Sequence, residues 1–329
     1  MSVTDLLHRP LRDLRVSVTD RCNLRCQYCM PGDRTYSFLP RHALLSFEEI
    51  HRVVVLAAEC GVKKIRLTGG EPLLRKNIAH LISLIRAVER IEDLALTTNG
   101  MFFMPLADAL KRAGLDRVTF SLDSLDPERL KRITLNQTSA KEVLTAIEKA
   151  NELGFAPVKV NMVVQRGVND DEICKMARVM RDLGAELRFI EYMDVGTVNG
   201  WDAKEVVTIQ EILAELGKRF SFEPLPTSHG VARRFKYSNG GTFGVIASVS
   251  EPFCGGCSRL RLSSDGQLFT CLFGTKGHDL KSMLRSGCDD AEIIQAMNRW
   301  WGHRADRYSE LRAQEQKQPD RVEMFRIGG

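Results

Sequence analysis

Over its first two-thirds the chain alternates short β-rich runs with amphipathic helical stretches, and this rhythm constrains the fold more than any other feature. The runs fall at 14–19, 63–67, 94–98, 117–122, 158–164 and 186–192, with helical patterns such as SFEEIHRVVVLAAECG and RKNIAHLISLIRAVER between them. Such alternation predicts βαβ units and a parallel sheet. The first helix opens at Ser46, with Glu49 three residues on as a capping box, and Gly61 ends it. Six units are two short of a closed (β/α)8 barrel. The expected fold is therefore α/β, a partial (β/α)6 TIM-like barrel whose open side admits a large substrate. A doubly wound open sheet is the alternative. From about residue 220 the texture changes: Pro224 and Pro226 mark a linker, and 232–249 alternates around Gly240-Gly241, which predicts an antiparallel hairpin. A cysteine-bearing segment and two helices follow. The expected division is 1–220 for the barrel and 221–329 for a C-terminal antiparallel and helical region. There is no internal repeat beyond the βα rhythm and no low-complexity tract.

Hydrophobic residues make up 43% of the 329, enough for a substantial core. The formal net charge of +5 is only mildly basic. It suits an anionic ligand, and with no run of like charges it gives no reason to expect nucleic-acid binding. The N-terminal MSVTDLLHRPLRD lacks the apolar core of a signal peptide, and no apolar stretch approaches ~20 residues. The expectation is a cytoplasmic protein with no membrane span. Of nine cysteines, Cys22, Cys26 and Cys29 form one tight group, and Cys254, Cys257 and Cys271 a second. Without a secretion signal, metal or redox chemistry is a better reading than disulfides. Cys60, Cys174 and Cys288 stand alone and read as ordinary core or surface cysteines.

Cys22-x3-Cys26-x2-Cys29 directly follows the first predicted strand. Three thiolates can hold three irons of a [4Fe–4S] cube, leaving the fourth iron open to a non-protein ligand; fully ligated clusters use four cysteines. A zinc site lacking its fourth ligand is the competing reading. Cys-x3-Cys-x2-Cys in this place resembles the radical S-adenosylmethionine (SAM) superfamily. There, SAM chelates the open iron and is cleaved by one electron to a 5′-deoxyadenosyl radical, chemistry that belongs to the cofactor. By the same resemblance Tyr28 is the aromatic before the last cysteine, beside the adenine. Thr68-Gly69-Gly70-Glu71-Pro72 matches the superfamily's GGEP turn, with Gly70 at the methionyl amine. Ser121, closing the fourth strand in FSLDS, and Met193, just past the sixth, match further SAM contacts.

Cys254-x2-Cys257-x13-Cys271 again offers three thiolates. A zinc ribbon usually has two CxxC knuckles, and the second is missing here, although His278 or Cys288 could supply a fourth ligand. A second [4Fe–4S] cluster with an open iron is the preferred reading. Between these cysteines lies Arg259-Leu260-Arg261. In a strand, residues i and i+2 point the same way, so both guanidiniums would face one pocket. Arg15 and Arg66 lie in the first two strands, near the ends where barrel active sites are built, and Lys159 early in the fifth. Arginine forks match phosphate oxygens, so the cluster suggests a polyphosphate substrate, and no P-loop motif accompanies it.

Taken over nearly the whole chain, the sequence resembles the GTP 3′,8-cyclase family, which begins molybdenum cofactor synthesis. The resemblance rests on LRVSVTDRCNLRCQYCMP, KIRLTGGEPLLR, LTTNG, FSLDS, VKVN, RFIEYMDVG, CGGCSRLRLSSDGQLFTCLF and the terminal Gly-Gly. It implies that Arg15, Arg66, Thr97, Lys159, Arg259, Leu260 and Arg261 bind GTP, and that Arg15, Arg259, Arg261, Gly328 and Gly329 serve catalysis. Cys22, Cys26 and Cys29 would hold the SAM cluster. Cys254, Cys257 and Cys271 would hold the auxiliary cluster, whose open iron meets the guanine. The implied reaction abstracts the ribose H3′ of GTP, joins C3′ to C8 of guanine and quenches the resulting radical with help from the second cluster. Implied partners are a reductant protein of flavodoxin or ferredoxin type, the synthase that makes cyclic pyranopterin monophosphate, and a second copy in a homodimer. Two other readings compete: a peptide-modifying radical SAM protein, which should lack the Arg-x-Arg pocket, and a non-enzymatic iron–sulfur carrier or zinc scaffold, which would not need TGGEP.

Overall fold

The computed structural model describes residues 3–136, 138–226, 230–312 and 321–328. Six parallel strands follow one another along the chain: β1 (Asp13–Ser17), β2 (Lys64–Thr68), β3 (Asp93–Thr98), β4 (Arg117–Ser121), β5 (Lys159–Val164) and β6 (Glu186–Glu191). All six fall where the sequence alternation puts them. Beyond β6 come β7 (Phe222–Pro224), β8 (Arg233–Tyr237), β9 (Thr242–Ile246), β10 (Arg259–Leu262), β11 (Gln267–Phe269) and β12 (His278–Asp279). The sheet runs β12-β11-β10-β1-β2-β3-β4-β5-β6-β9-β8-β7.

The predicted hairpin is present as β8 and β9, but β9 also pairs in parallel with β6, and β10 pairs in parallel with β1. The C-terminal region thus extends the sheet at both edges, and eight strands in a row are parallel rather than six. Closure does not follow, because the outer edges of β9 and β10 are taken by antiparallel β8 and β11. Each of the eight parallel strands contributes a residue to the lining of a single cavity: Arg15, Arg66, Thr97, Thr119, Asn161, Arg188, Ile246 and Arg261. The sheet is wrapped as a barrel wall, not doubly wound. Among the described residues, the C-terminal region carries four helices where two were expected: Leu280–Arg285, Asp290–Gly302, Tyr308–Leu311 and Met324–Ile327.

Alternation along the strands fixes which side faces the helices. Leu14, Val16, Ile65, Leu67, Leu94, Leu96, Val118, Phe120, Val160, Met162, Leu187 and Phe189 are all buried in one apolar core. Helix Phe47–Glu59 adds Ile50, Val53, Val54 and Ala57 to that core. Its start is held as expected, with Ser46 Oγ accepting from the Glu49 N–H at 3.1 Å and Glu49 accepting from the Ser46 N–H at 2.7 Å. The opposite face of the strands is polar. Low in the lumen, Asp13, Lys64, Asp93 and Arg117 form a chain of ion pairs, and Glu186 gathers Arg188, Arg234 and Lys159. A barrel interior is ordinarily packed with branched apolar side chains; here it is a charged floor beneath a cavity. Among the described residues, no helix is long and apolar enough to cross a membrane.

Candidate active site

Register places Arg261, Arg15 and Arg66 side by side on β10, β1 and β2. Adjacent strands lie roughly 4.8 Å apart, so three cations form one row across the cavity wall. Among the described residues, no carboxylate pairs with any of them. Arg66 donates to Thr97 Oγ1 at 3.0 Å and to Thr119 Oγ1 at 3.1 Å. Burial, then neighbouring positive charge, pulls all three below the usual arginine range: Arg66 to about 10, Arg261 to about 9, and Arg15 through burial and then Arg261, Arg259 and Arg66. A row of guanidiniums on one cavity wall suits an anionic ligand.

Lys159, on β5, sits with Glu186 in the charged floor and is not among the residues that line the cavity. Burial first, then Arg188, brings its ammonium down to about 6, although Glu186 lies 3.9 Å away. Glu186 works to raise it, and is itself shared with Arg188 at 2.9 Å and Arg234 at 2.7 Å. Thr97 faces the cavity with Arg66, whereas its neighbour Thr98 turns to Glu71. The Leu260 side chain packs in the apolar core, which leaves its backbone for any contact with substrate. It lies between two inward-facing arginines, and strand alternation sends its side chain the other way.

Cys22, Cys26 and Cys29 are each half-buried and line one end of the cavity. The Leu24 N–H donates to Cys22 Sγ at 3.4 Å, and the Cys29 N–H to the Cys26 carbonyl at 2.9 Å. Burial pushes the Cys22 thiol up to about 11 and raises Cys26 and Cys29 too, so a cationic centre is needed to draw these thiolates out. The TGGEP turn packs directly against this loop. The Gly70 N–H donates to the Thr19 carbonyl at 2.7 Å and the Glu71 N–H to the Arg21 carbonyl at 2.8 Å. A methyl group on Gly70 would lie 2.3 Å from the Arg21 carbonyl oxygen, and one on Gly69 2.5 Å from that of Thr19. The glycines are therefore required by the fit of the turn against the cysteine loop. With its N–H engaged, Gly70 has its carbonyl to offer a ligand's ammonium.

Two buried carboxylates near this loop were not singled out from the sequence. Glu71 accepts from the Leu73 and Asn99 N–H groups at 3.0 and 2.8 Å and from Thr98 Oγ1 at 2.8 Å, tying the ends of β2 and β3 together. Burial raises its carboxyl to about 7. Asp123 accepts from Tyr28 Oη at 2.7 Å and from the Val163 N–H at 2.8 Å, and burial raises it to about 6. Its position two residues beyond Ser121 in FSLDS, the same-face spacing of a strand end, was the available signal. Ser121 and Met193 both line the cavity, as expected.

Cys254, Cys257 and Cys271 line the same cavity with Arg259 and Arg261. Burial raises Cys271 to about 11. Burial also works to raise Cys257, but Arg259 and Arg304 outweigh it and bring that thiol down to about 6. Arg259 thus faces Cys257 and lies 5.2 Å over Phe253, while Arg261 donates to the Gly328 carbonyl and, at 3.4 Å, to that of Ile327. The two arginines share a face but not a partner. His278 stacks on Trp300 at 4.8 Å and Cys288 lies beside Ser286; neither lines the cavity. Among the described residues, no three His, Cys, Asp or Glu side chains are gathered around a point that one metal ion would fill. A cube distributes its ligands over separate irons and asks for wider spacing.

The C-terminal segment closes the cavity beside β1 and β2. Phe325 meets Tyr36 edge-on at 5.5 Å, Glu323 accepts from Thr197 at 2.7 Å, and Ile327 is buried. Gly329 lies outside the described residues.

The radical SAM superfamily matches residues 16–180, and the family described as Molybdenum Cofactor Synthesis C matches 185–310. A GTP 3′,8-cyclase of Aquifex aeolicus is 52% identical over 326 residues, 99% of each chain. Another, from Acidothermus cellulolyticus, is 50% identical over 94% of this chain and 89% of that one. Among solved structures, Streptococcus suis SuiB bound to precursor peptide SuiA aligns with a TM-score of 0.64 at 14% identity, covering 96% of this chain and 75% of that one. At that identity the likeness is one of fold alone. With cysteine loop, glycine turn and full-length relatives in agreement, the chain belongs to the GTP 3′,8-cyclase family within the radical SAM superfamily.

Proposed function

We propose that this chain converts GTP to 3′,8-cyclo-7,8-dihydro-GTP, the first step of molybdenum cofactor biosynthesis. The observation that carries the proposal is the unneutralised row Arg261, Arg15 and Arg66, set in one cavity between two three-cysteine groups. Cys22, Cys26 and Cys29 fit one [4Fe–4S] cluster and Cys254, Cys257 and Cys271 a second, each leaving one iron without a protein ligand. When bound, SAM and the two clusters would supply the one-electron chemistry needed to open the ribose C3′–H bond so that C3′ can join C8 of guanine, with one electron to cleave SAM and one to quench the cyclised radical drawn from the external reductant. The chain's own residues do the placing. Arg15, Arg66 and Arg261 hold the triphosphate, with Thr97 fixing Arg66 and Lys159 adding charge beneath. Gly70, Tyr28, Ser121 and Met193 form the SAM wall. Arg259 accompanies Cys257, and the terminal Gly-Gly is assigned a part in catalysis, its Gly328 carbonyl accepting from Arg261. Such orientation lowers the barrier by fixing the reacting atoms in contact.

The same reading takes in a flavodoxin- or ferredoxin-type reductant, delivery to the synthase that makes cyclic pyranopterin monophosphate, and a homodimer. A peptide substrate would leave the arginine row unused, and an electron carrier would need neither that row nor the TGGEP turn. Anaerobic incubation with SAM, dithionite and GTP, followed by mass spectrometry, tests the proposal: cyclised nucleotide beside 5′-deoxyadenosine is the expected result. Reconstituted protein should hold about eight irons, four per cluster. Replacing Cys254, Cys257 and Cys271 with Ala should halve that count and leave SAM cleavage intact. Stoichiometric zinc with only about four irons would overturn the two-cluster assignment.

A further inference from the structure

Beneath the second cysteine group lie three buried charges from opposite ends of the chain. Asp5 and Arg9 come from the N-terminal segment, and Arg304 follows the helix Asp290–Gly302; their side chains are 0%, 1% and 2% exposed. Asp5 joins the other two. Its Oδ2 accepts from Arg9 Nε at 2.6 Å and from Arg304 Nη1 at 3.4 Å, while its Oδ1 accepts the Leu7 and Arg9 N–H groups, both at 2.9 Å. Each guanidinium then reaches a cysteine carbonyl: Arg9 Nη1 donates to Cys254 at 2.9 Å, and Arg304 Nη1 to Cys257 at 2.7 Å. The group is over-supplied with positive charge. Two cations share one fully buried carboxylate, the partly exposed Asp306 carboxylate is a second ion-pair partner for Arg304 only while its backbone carbonyl accepts from Arg9 Nη1 at 2.8 Å, and Arg9 Nη2 is buried with no acceptor among the described residues.

An ion cluster of this kind is a poor way to gain stability, because desolvation offsets the attraction and apolar packing would serve as well or better. What it provides is direction. Two rigid forks, locked to one carboxylate, fix the carbonyls of the first two cysteines of the group and so fix the path of the backbone that carries their sulfurs. Outer partners of this sort orient ligands and tune the metal centres they support.

We infer that Asp5, Arg9 and Arg304 form a clamp that presets the Cys254–Cys257 loop for its iron–sulfur cluster, and that the two arginines raise the reduction potential of that cluster. The inference rests on the reading that this cysteine group holds a cluster. Positive charge and donated hydrogen bonds near a cluster favour its reduced, more negative form. The clamp also makes the N-terminal segment part of the site, since Arg9 is the link between Asp5 and Cys254. Arg9 and Arg304 are positioning residues: they touch the ligand loop, not the substrate.

The test uses the full chain with Cys22, Cys26 and Cys29 changed to Ala, so that only the second cluster forms on anaerobic reconstitution. Iron content and the midpoint potential from an EPR-monitored titration are read for that background and for Arg9→Met, Arg9→Lys, Arg304→Met and Asp5→Asn within it. The background should bind about four irons. Arg9→Met and Arg304→Met should at least halve occupancy and lower the potential of the cluster that forms. Arg9→Lys keeps the charge but cannot bridge Asp5 and Cys254, so occupancy should fall while the potential stays near that of the background. Asp5→Asn, the mildest change, should reduce occupancy alone. In the reciprocal background lacking Cys254, Cys257 and Cys271, each variant should keep the first cluster. Full occupancy at unchanged potential in both Met variants overturns the clamp. Equal loss of the first cluster also overturns it, because the residues would then support only the fold. A background that binds no iron overturns the second-cluster reading itself.

Discussion

Arginine at positions 15, 66 and 261 stands where a barrel strand ordinarily buries an apolar side chain, and the consequence is local and measurable. None forms an ion pair among the described residues, so under the proposed function a bound triphosphate would supply the opposite charge. Arg261→Ala should weaken GTP binding by ~1.5–3 kcal/mol, the range for one charge-assisted contact. Equilibrium dialysis should show this with both clusters undisturbed; equal affinities would remove Arg261 from the site. Lys159 adds a proton-linked signal. Its ammonium lies at about 6 in the free pocket, lowered by burial and by Arg188. An arriving polyanion favours the charged form and raises that value. Between the two values the complex holds more protons than the free protein, so affinity falls as pH rises through this window, and GTP binding near pH 7–8 takes up protons. Calorimetry in buffers of different ionisation enthalpy should detect the uptake in wild type and find it diminished in Lys159→Met. The same-face spacing of Arg259 and Arg261 was legible in the sequence. That one faces Cys257 and the other the C-terminal tail was not, because those partners come from distant segments.

At the scale of elements, the turn after β2 and the cysteine loop after β1 fold as one unit. Two backbone bonds join them, and the glycines leave no space for a side chain. Gly70→Ala places a methyl group 2.3 Å from a backbone oxygen, so one of the two loops must move. Overpacking of this kind costs about 1–3 kcal/mol. Iron content should fall to the level of the second cluster alone, and SAM cleavage should disappear with it. Iron binding and SAM cleavage at wild-type levels would show that the loops adjust freely. The six strands β1–β6 were readable because each carries its own alternation and the next lies one helix away. RLRL was legible as a strand, but nothing local says that it pairs with β1 across about 240 residues, in register from Asp13–Arg259 to Val16–Leu262. The pairing of β9 with β6 was hidden in the same way. Long-range register is set by the whole barrel wall, and a single strand's pattern does not encode it.

On the scale of the molecule, segments from both the N-terminal and the C-terminal part of the chain bind residues that line the cavity: Arg9 donates to the Cys254 carbonyl, and the Gly328 carbonyl accepts from Arg261. Termini usually fray, and from sequence alone the final Gly-Gly is unremarkable. Here Glu323 is bound by Thr197, Phe325 is seated against Tyr36, and Ile327 is fully buried, so the tail is docked before it reaches the pocket. At Gly328 the chain turns with φ +72°, a conformation that favours glycine, and a methyl group there would lie 2.3 Å from Thr68 Cγ2. Its carbonyl accepts from Arg261, one member of the cationic row. If Arg261 also holds the triphosphate, as proposed, the C-terminal segment shares that guanidinium with the substrate and gives up one acceptor rather than a large contact. Removing residues 328 and 329 should leave both clusters in place and GTP binding nearly unchanged, while cyclisation falls sharply because the wall beside the substrate is gone. Gly328→Ala should lower cyclisation in the same direction by crowding Thr68. The measurement is 3′,8-cyclo-GTP against 5′-deoxyadenosine under anaerobic reduction. Cyclised product at the wild-type rate from the truncated chain would mean that the docked tail only covers the cavity and takes no part in placing the substrate.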